Sequence, residues 1–146
     1  MPRHSAAILA TGAGTTARPM ASLYAAAASG AALRYCAVWN TTATEVDLGL
    51  RRLTAATNQG AGETELGWNE TMTAPQCTTH NLHSGDGTLA TGFLRRAMLG
   101  AAKGSGVIWV FGDSGIVIPE GTANGVGVVL AAGTGQICII EFEWDE

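Results

Sequence analysis

Charge is what this chain has least of. Asp, Glu, Lys and Arg together make up 14% of its 146 residues, against roughly 25% in an average soluble domain. Lys103 is the only lysine. A monomer of this mass exposes on the order of 7,000 Å², so its charges stand at roughly half the usual density. Lysine guards free sheet edges against association and is depleted at protein–protein contacts. A surface this poor in it is expected to be covered by other subunits. The net charge is −4, which argues against a phosphate-tracking surface, because nucleic-acid binding needs clustered Lys and Arg. Arg51-Arg52 and Arg95-Arg96 are neighbours that a strand points to opposite faces, so neither pair makes a basic patch alone.

Long apolar runs are missing as well. No stretch approaches the ~20 apolar residues of a membrane helix, and the apolar residues 6–10 are too few for a secretory core. Without such a signal the acceptor patterns Asn40-Thr41-Thr42 and Asn69-Glu70-Thr71 are idle. Cysteine is scarce, odd in number and widely spaced, at Cys36, Cys77 and Cys138. That is no disulfide framework; buried free thiols made in a reducing cytoplasm are expected.

What is present is a punctuated series of short β-branched and aromatic runs. Val107-Ile108-Trp109-Val110-Phe111, Ile116-Val117-Ile118, 126–130 and 137–144 are separated by Gly112-Asp113-Ser114-Gly115, Pro119-Glu120-Gly121, Asn124-Gly125 and Ala132-Gly133-Thr134-Gly135. Such runs are too short and too often interrupted for helices, and indicate antiparallel strands packed on both faces. Upstream, Leu33, Tyr35, Ala37 and Trp39 alternate against Arg34, Cys36, Val38 and Asn40, the period of a half-buried strand. Val46, Leu48 and Leu50 alternate against Asp47, Gly49 and Arg51 as the returning strand of a hairpin. Residues 5–10 read as a first short strand, whereas the alanine-rich 19–29 fits helix and strand equally. Residues 58–76 are the least apolar part. The sum is an all-β chain of about eight to ten short strands with at most one or two short helices, a sandwich or barrel. Its length fits a single domain over 1–146.

Candidate chemistry is sparse. His80 and His83, with Asp86 and His4, form the only plausible metal set, but residues three apart on a strand face opposite ways. They read as surface or loop histidines, and neither a metal nor a cofactor is expected. A cupin-type enzyme would need clustered His and Glu ligands that this pattern does not supply. Gly12-Ala13-Gly14 and Gly60-Ala61-Gly62 lack a following phosphate-loop lysine and read as turns, as does Asp113-Ser114-Gly115. No catalytic residues can be assembled, so the chain is expected not to be an enzyme. Trp39, Trp109 and Trp144 sit in the strongest strands and are expected in the core; Trp68, in a polar region, is the candidate subunit contact.

Certain passages carry a likeness. Val38-Trp39-Asn40-Thr41-Thr42-Ala43-Thr44, Arg51-Arg52-Leu53-Thr54, Leu99-Gly100-Ala101-Ala102 and Gly106-Val107-Ile108-Trp109-Val110-Phe111-Gly112-Asp113 resemble short virion proteins of tailed bacteriophages. So do the passage 118–125, Gly133-Thr134-Gly135-Gln136 and the ending Trp144-Asp145-Glu146. Over roughly 31–146 the chain resembles the jelly-roll decoration, or head-stabilising, proteins that coat assembled capsids. The resemblance implies an antiparallel jelly-roll over 31–146, preceded by an N-terminal segment, 1–30, acting as an arm or first strand that can reach a neighbouring subunit. It implies a trimer on the capsid exterior, made in the bacterial host cytoplasm, with the major capsid protein as partner, no nucleic acid or membrane, and no catalytic residue. A head-fibre base, a tail component, or a carbohydrate- or receptor-binding sandwich are the rival expectations.

Overall fold

The computed structural model describes residues 2–69 and 71–146; Glu70 of the second acceptor pattern lies outside them. Among the described residues the chain forms eleven strands and no helix. In chain order they are β1 (Arg3–Leu9), β2 (Ala21–Tyr24), β3 (Ala31–Asn40), β4 (Val46–Leu53), β5 (Leu66–Gly67), β6 (Thr78–His80), β7 (Arg95–Leu99), β8 (Gly106–Val110), β9 (Ile116–Ile118), β10 (Gly125–Ala132) and β11 (Cys138–Asp145). One sheet runs β5-β1-β11-β3-β8, with β9 also on β3; the other runs β6-β2-β10-β4-β7, and all pairings are antiparallel. Chain-adjacent strands alternate between the sheets from β1 to β4, and again from β7 through β8 and β10 to β11. The four-strand sets β1-β11-β3-β8 and β2-β10-β4-β7 therefore face each other in jelly-roll order.

Of the ambiguous alanine-rich 19–29, residues 21–24 form strand β2, held between β10 and β6, and the alanines after it close a tight turn between Ala26 and Ser29. Alanine favours a helix locally, but cross-strand pairing and burial of Ala21 and Leu23 decide otherwise. Both strands of segment 1–30 lie within the sandwich of their own chain, β1 beside β11 and β2 beside β10. Between the sheets Ile8, Leu33, Val38, Ile140, Phe142 and Trp144 meet Leu23, Leu48, Leu50, Val126, Val128 and Leu130, all essentially excluded from solvent. Each such side chain contributes about 1.5–3 kcal/mol of burial.

The even alternation expected along β3 fails at one residue. Glu143 pairs with Tyr35, but the next residue of β11, Trp144, pairs with Leu33, so Arg34 is an extra residue bulged out of β3. The bulge shifts the phase: Leu33 points into the core before it, and Cys36, Val38 and Asn40 after it. Trp39 is therefore only half-buried and faces outward, contrary to its expected place in the core, whereas Trp109 and Trp144 are buried.

The two sheets are covered unequally. Both ends of the connection from β4 to β7, residues 54–94, fold back over the outer face of the second sheet, while β5 in its middle joins the edge of the first sheet. Phe93 lies against Gly49, where a Cβ would sit 2.4 Å from its Cδ1. Tyr24 donates to Ala55 O at 3.0 Å, His83 N–H to Pro19 O at 3.0 Å and Leu94 N–H to Leu50 O at 2.8 Å. With core on one side and this excursion on the other, β2 is buried at every position and β10 from Gly125 to Leu130. Among the described residues, the outer face of the first sheet has no such cover.

Candidate interaction face

The uncovered face is a grid set by strand register. Cross-strand neighbours on it are Leu9, Ile139 and Trp39; then Ala7, Glu141, Ala37 and Ile108; then Leu66, Ser5, Glu143, Tyr35 and Val110; then Arg3, Asp145, Ala32 and Val117. Alternation along each strand aims these side chains away from the core. Leu9 is 60% exposed, Ile108 50% and Val110 69%, large values for apolar residues in regular strands. Sequence reasoning placed β8 but not its orientation; the signal was the alternation of Ile108 and Val110 against Trp109.

Arg3, Arg34, Glu143 and Asp145 on this face are already paired, and Glu141 takes a hydrogen bond from Tyr35. Arg3 Nε donates to Asp145 Oδ1 at 2.9 Å and Arg34 Nε to Asp145 Oδ2 at 2.6 Å, while Arg3 Nη1 lies 3.3 Å from Glu143 Oε1. The hydrogen bond from Arg3, against an opposing effect of burial and with help from Arg34, holds the Asp145 carboxyl below its ordinary range. Burial, with Asp145 nearby, outweighs Arg3 at Glu143 and moves its carboxyl upward. Tyr35 donates to Glu141 Oε2 at 3.3 Å, and burial together with that carboxylate raises the phenol. A face whose ions are internally compensated loses less on being covered than one with free charges.

Trp68 stands at the rim just beyond β5, 62% exposed, with the Arg3 guanidinium carbon 5.4 Å from its ring centroid. Beside it a groove of about 390 Å³ is lined by Ser5, Ala7, Tyr35, Glu141 and Glu143. Trp68 is thus available for contact, joined to the face and not to the core.

Of the histidines expected on the surface or in loops, His83 does lie in a loop but is buried, His80 ends β6, and His4 is a buried residue of β1. His83 is wholly buried under the 54–94 excursion, with Nε2 2.8 Å from Ser22 Oγ, and burial, with His80 and Arg18 nearby, lowers its pKa from 6.5 to about 4. His80 shares the Tyr24 ring with it. His4 is buried elsewhere, beside Trp144 and 3.5 Å from Glu146 Oε1. Polar residues can be buried here because the excursion brings partners: Glu65 accepts from both Thr79 N–H and Oγ1, and Asn81 donates to Leu9 O. Asp86 contributes its carbonyl to Asn58. Among the described residues no three His, Cys, Asp or Glu side chains gather closely enough to hold a metal ion.

Cys36, Cys77 and Cys138 are buried and unpaired. Burial raises the Cys77 thiol to about 12 and Cys138 to about 11, and moves Cys36 upward too, so the thiolate is disfavoured at neutral pH. Asp113-Ser114-Gly115 is the exposed turn between β8 and β9, with Gly112 and Gly115 at φ 65° and 64°. Gly60 is a close-packing position, where a Cβ would meet Leu82 O at 2.2 Å. Comparison with protein-family models, with curated proteins and with solved structures finds no match to this chain.

Proposed function

We propose that this chain is a non-enzymatic structural subunit of a tailed-phage virion, a capsid decoration protein that binds the outer surface of the head as a trimer. The observation that carries the reading is the inequality of the two outer faces. The two ends of 54–94 cover the second sheet, whereas Leu9, Ile108 and Val110 stay bare on the first, which gains only β5 at its edge. Exposed apolar patches of this kind mark contact surfaces. The sparse, self-paired charge and the residue passages that resemble head-stabilising proteins support the same reading. Each trimer would hold the major capsid protein by several modest contacts acting together through effective concentration. Binding the assembled shell but not its dissociated subunits stabilises it by mass action, about 4 kcal/mol per site at a thousandfold excess over Kd.

The test is co-sedimentation with purified empty heads of the phage that encodes the chain. Saturable binding at three-fold or quasi-three-fold positions supports the reading; a chain that ignores the heads and remains single overturns it. A second reading rests on Trp68. An exposed indole beside Tyr35 and two carboxylates is also the lining of a sugar-binding groove. Retention on a glycan array, lost in Trp68→Ala, would favour a carbohydrate- or receptor-binding module.

A further inference from the structure

β8 is the open edge of the bare sheet. Phe111 N–H donates to Arg34 O and Asn40 N–H to Ser105 O, so the odd-numbered residues of this stretch bond toward β3. The N–H and C=O groups of Gly106, Ile108 and Val110 therefore point away from it, into the space beside the sheet. Edge strands are ordinarily blunted by lysine, proline, inward charges or a covering loop. Gly106-Val107-Ile108-Trp109-Val110 has none of these within it, and Ile108 and Val110 are exposed. β7 and Arg95, whose guanidinium lies over Phe111, touch the corner of the sandwich and belong to the other sheet.

We infer that β8 pairs antiparallel with β8 of a second copy of this chain about a two-fold axis at Ile108, joining two sandwiches into one continuous sheet. Three features of the strand select a second copy. Pairing centred on Ile108 sets Ile108 against itself and Gly106 against Val110, and these are the residues whose backbone groups are free, so donors and acceptors match. The small Gly106 faces the larger Val110 on the outer surface, while Val107 faces Trp109 on the inner one. The same register sets Lys103, the chain's only lysine, toward Asp113 of the other copy, and the symmetry repeats that contact. Both side chains are exposed in turns flanking the strand, and neither forms an ion pair among the described residues of its own chain. Charge complementarity thus agrees with backbone complementarity at one register.

The contact is short, at the weak end of the range for protein interfaces, and so depends on concentration. It stands apart from the virion reading and from any three-fold contact, since a two-fold pairing links trimers as readily as single chains. Sedimentation equilibrium of the purified full chain from micromolar to millimolar concentration tests it. The wild type should reach at least twice the mass of Ile108→Pro, in which the substituted N–H faces the open edge and no internal bond is lost. Lys103→Glu and Asp113→Lys should each weaken the pairing about tenfold, and the double variant should recover it. These two positions lie outside the strands, so the charge swap carries the test if Ile108→Pro does not fold. Equal masses for wild type and Ile108→Pro, or a double variant no better than Lys103→Glu, would overturn the inference. So would a wild type that never self-associates while Ile108→Pro loses binding to empty heads, which would assign the edge to a capsid strand.

Discussion

Ser22 Oγ lies 2.8 Å from Nε2 of His83, and through that contact the 54–94 excursion is fastened to the second sheet. Ser22 and His83 are both fully excluded from water, and His83 Nδ1 has no partner. The excursion is what makes the two outer faces different, so its attachment is a structural hinge of the functional reading.

Acid should loosen that attachment. Burial keeps His83 neutral, with its pKa lowered from 6.5 to about 4. Between those values the unfolded chain binds a proton that the folded one refuses. The contribution is therefore complete above pH 6.5 and is lost as pH falls toward 4, by up to about 1.4 kcal/mol per pH unit. Urea unfolding at stepped pH should show this slope in the wild type and its absence in His83→Gln. A further loss below the ordinary carboxylate range is expected from Asp145 and Asp47, whose arginine hydrogen bonds lower their pKa values.

Arg34 should be dispensable to the facing of β3, whether truncated or removed. Arg34→Ala loses the hydrogen bond to Asp145 but keeps the bulge, at a cost of about 1 kcal/mol. Deleting the residue removes the bulge itself and leaves Leu33, Cys36 and Val38 facing the core, with Tyr35 and Trp39 outward. Circular dichroism and thermal melts should show a cooperative transition for both Arg34→Ala and the deletion; its loss in the deletion alone would contradict the bulge at Arg34.

That bulge also explains where sequence reading stopped. The strands of 105–146 were legible because each is apolar, β-branched and bounded by turn residues. The phase of β3 was not, since an inserted residue leaves no mark in a pattern that alternates on both sides of it. Trp39 was misplaced for that reason alone. The excursion was hidden because its buried residues are polar: Thr79, Asn81 and His83 look solvated until the hydrogen bonds of Glu65, Leu9 and Ser22 are seen. Trp68 was legible as an exposed aromatic; the bare face around it depended on knowing which side 54–94 covers.

Gly49 should not tolerate alanine. Its Cβ would lie 2.4 Å from Phe93 Cδ1 and 2.5 Å from Arg95 O, the second of which is backbone and cannot move freely. Gly49→Ala is expected to cost about 1–3 kcal/mol, read by denaturant unfolding, with faster amide exchange confined to the residues near Phe93.

The tryptophans should separate stability from assembly. Trp144 is fully buried, and Trp144→Ala should cost about 3–5 kcal/mol. Trp68→Ala removes a side chain that is 62% exposed and should leave the unfolding free energy within about 0.5 kcal/mol of wild type. The same variant should weaken subunit association; a Trp68→Ala chain that fails to fold would contradict its placement at a contact.

The most direct measurement is the mass of the purified chain by light scattering across a wide concentration range. The account predicts a trimer, three times the 14.9 kDa of one chain, or a whole multiple of that trimer where β8 edges pair. A particle of single-chain mass at every concentration would contradict it.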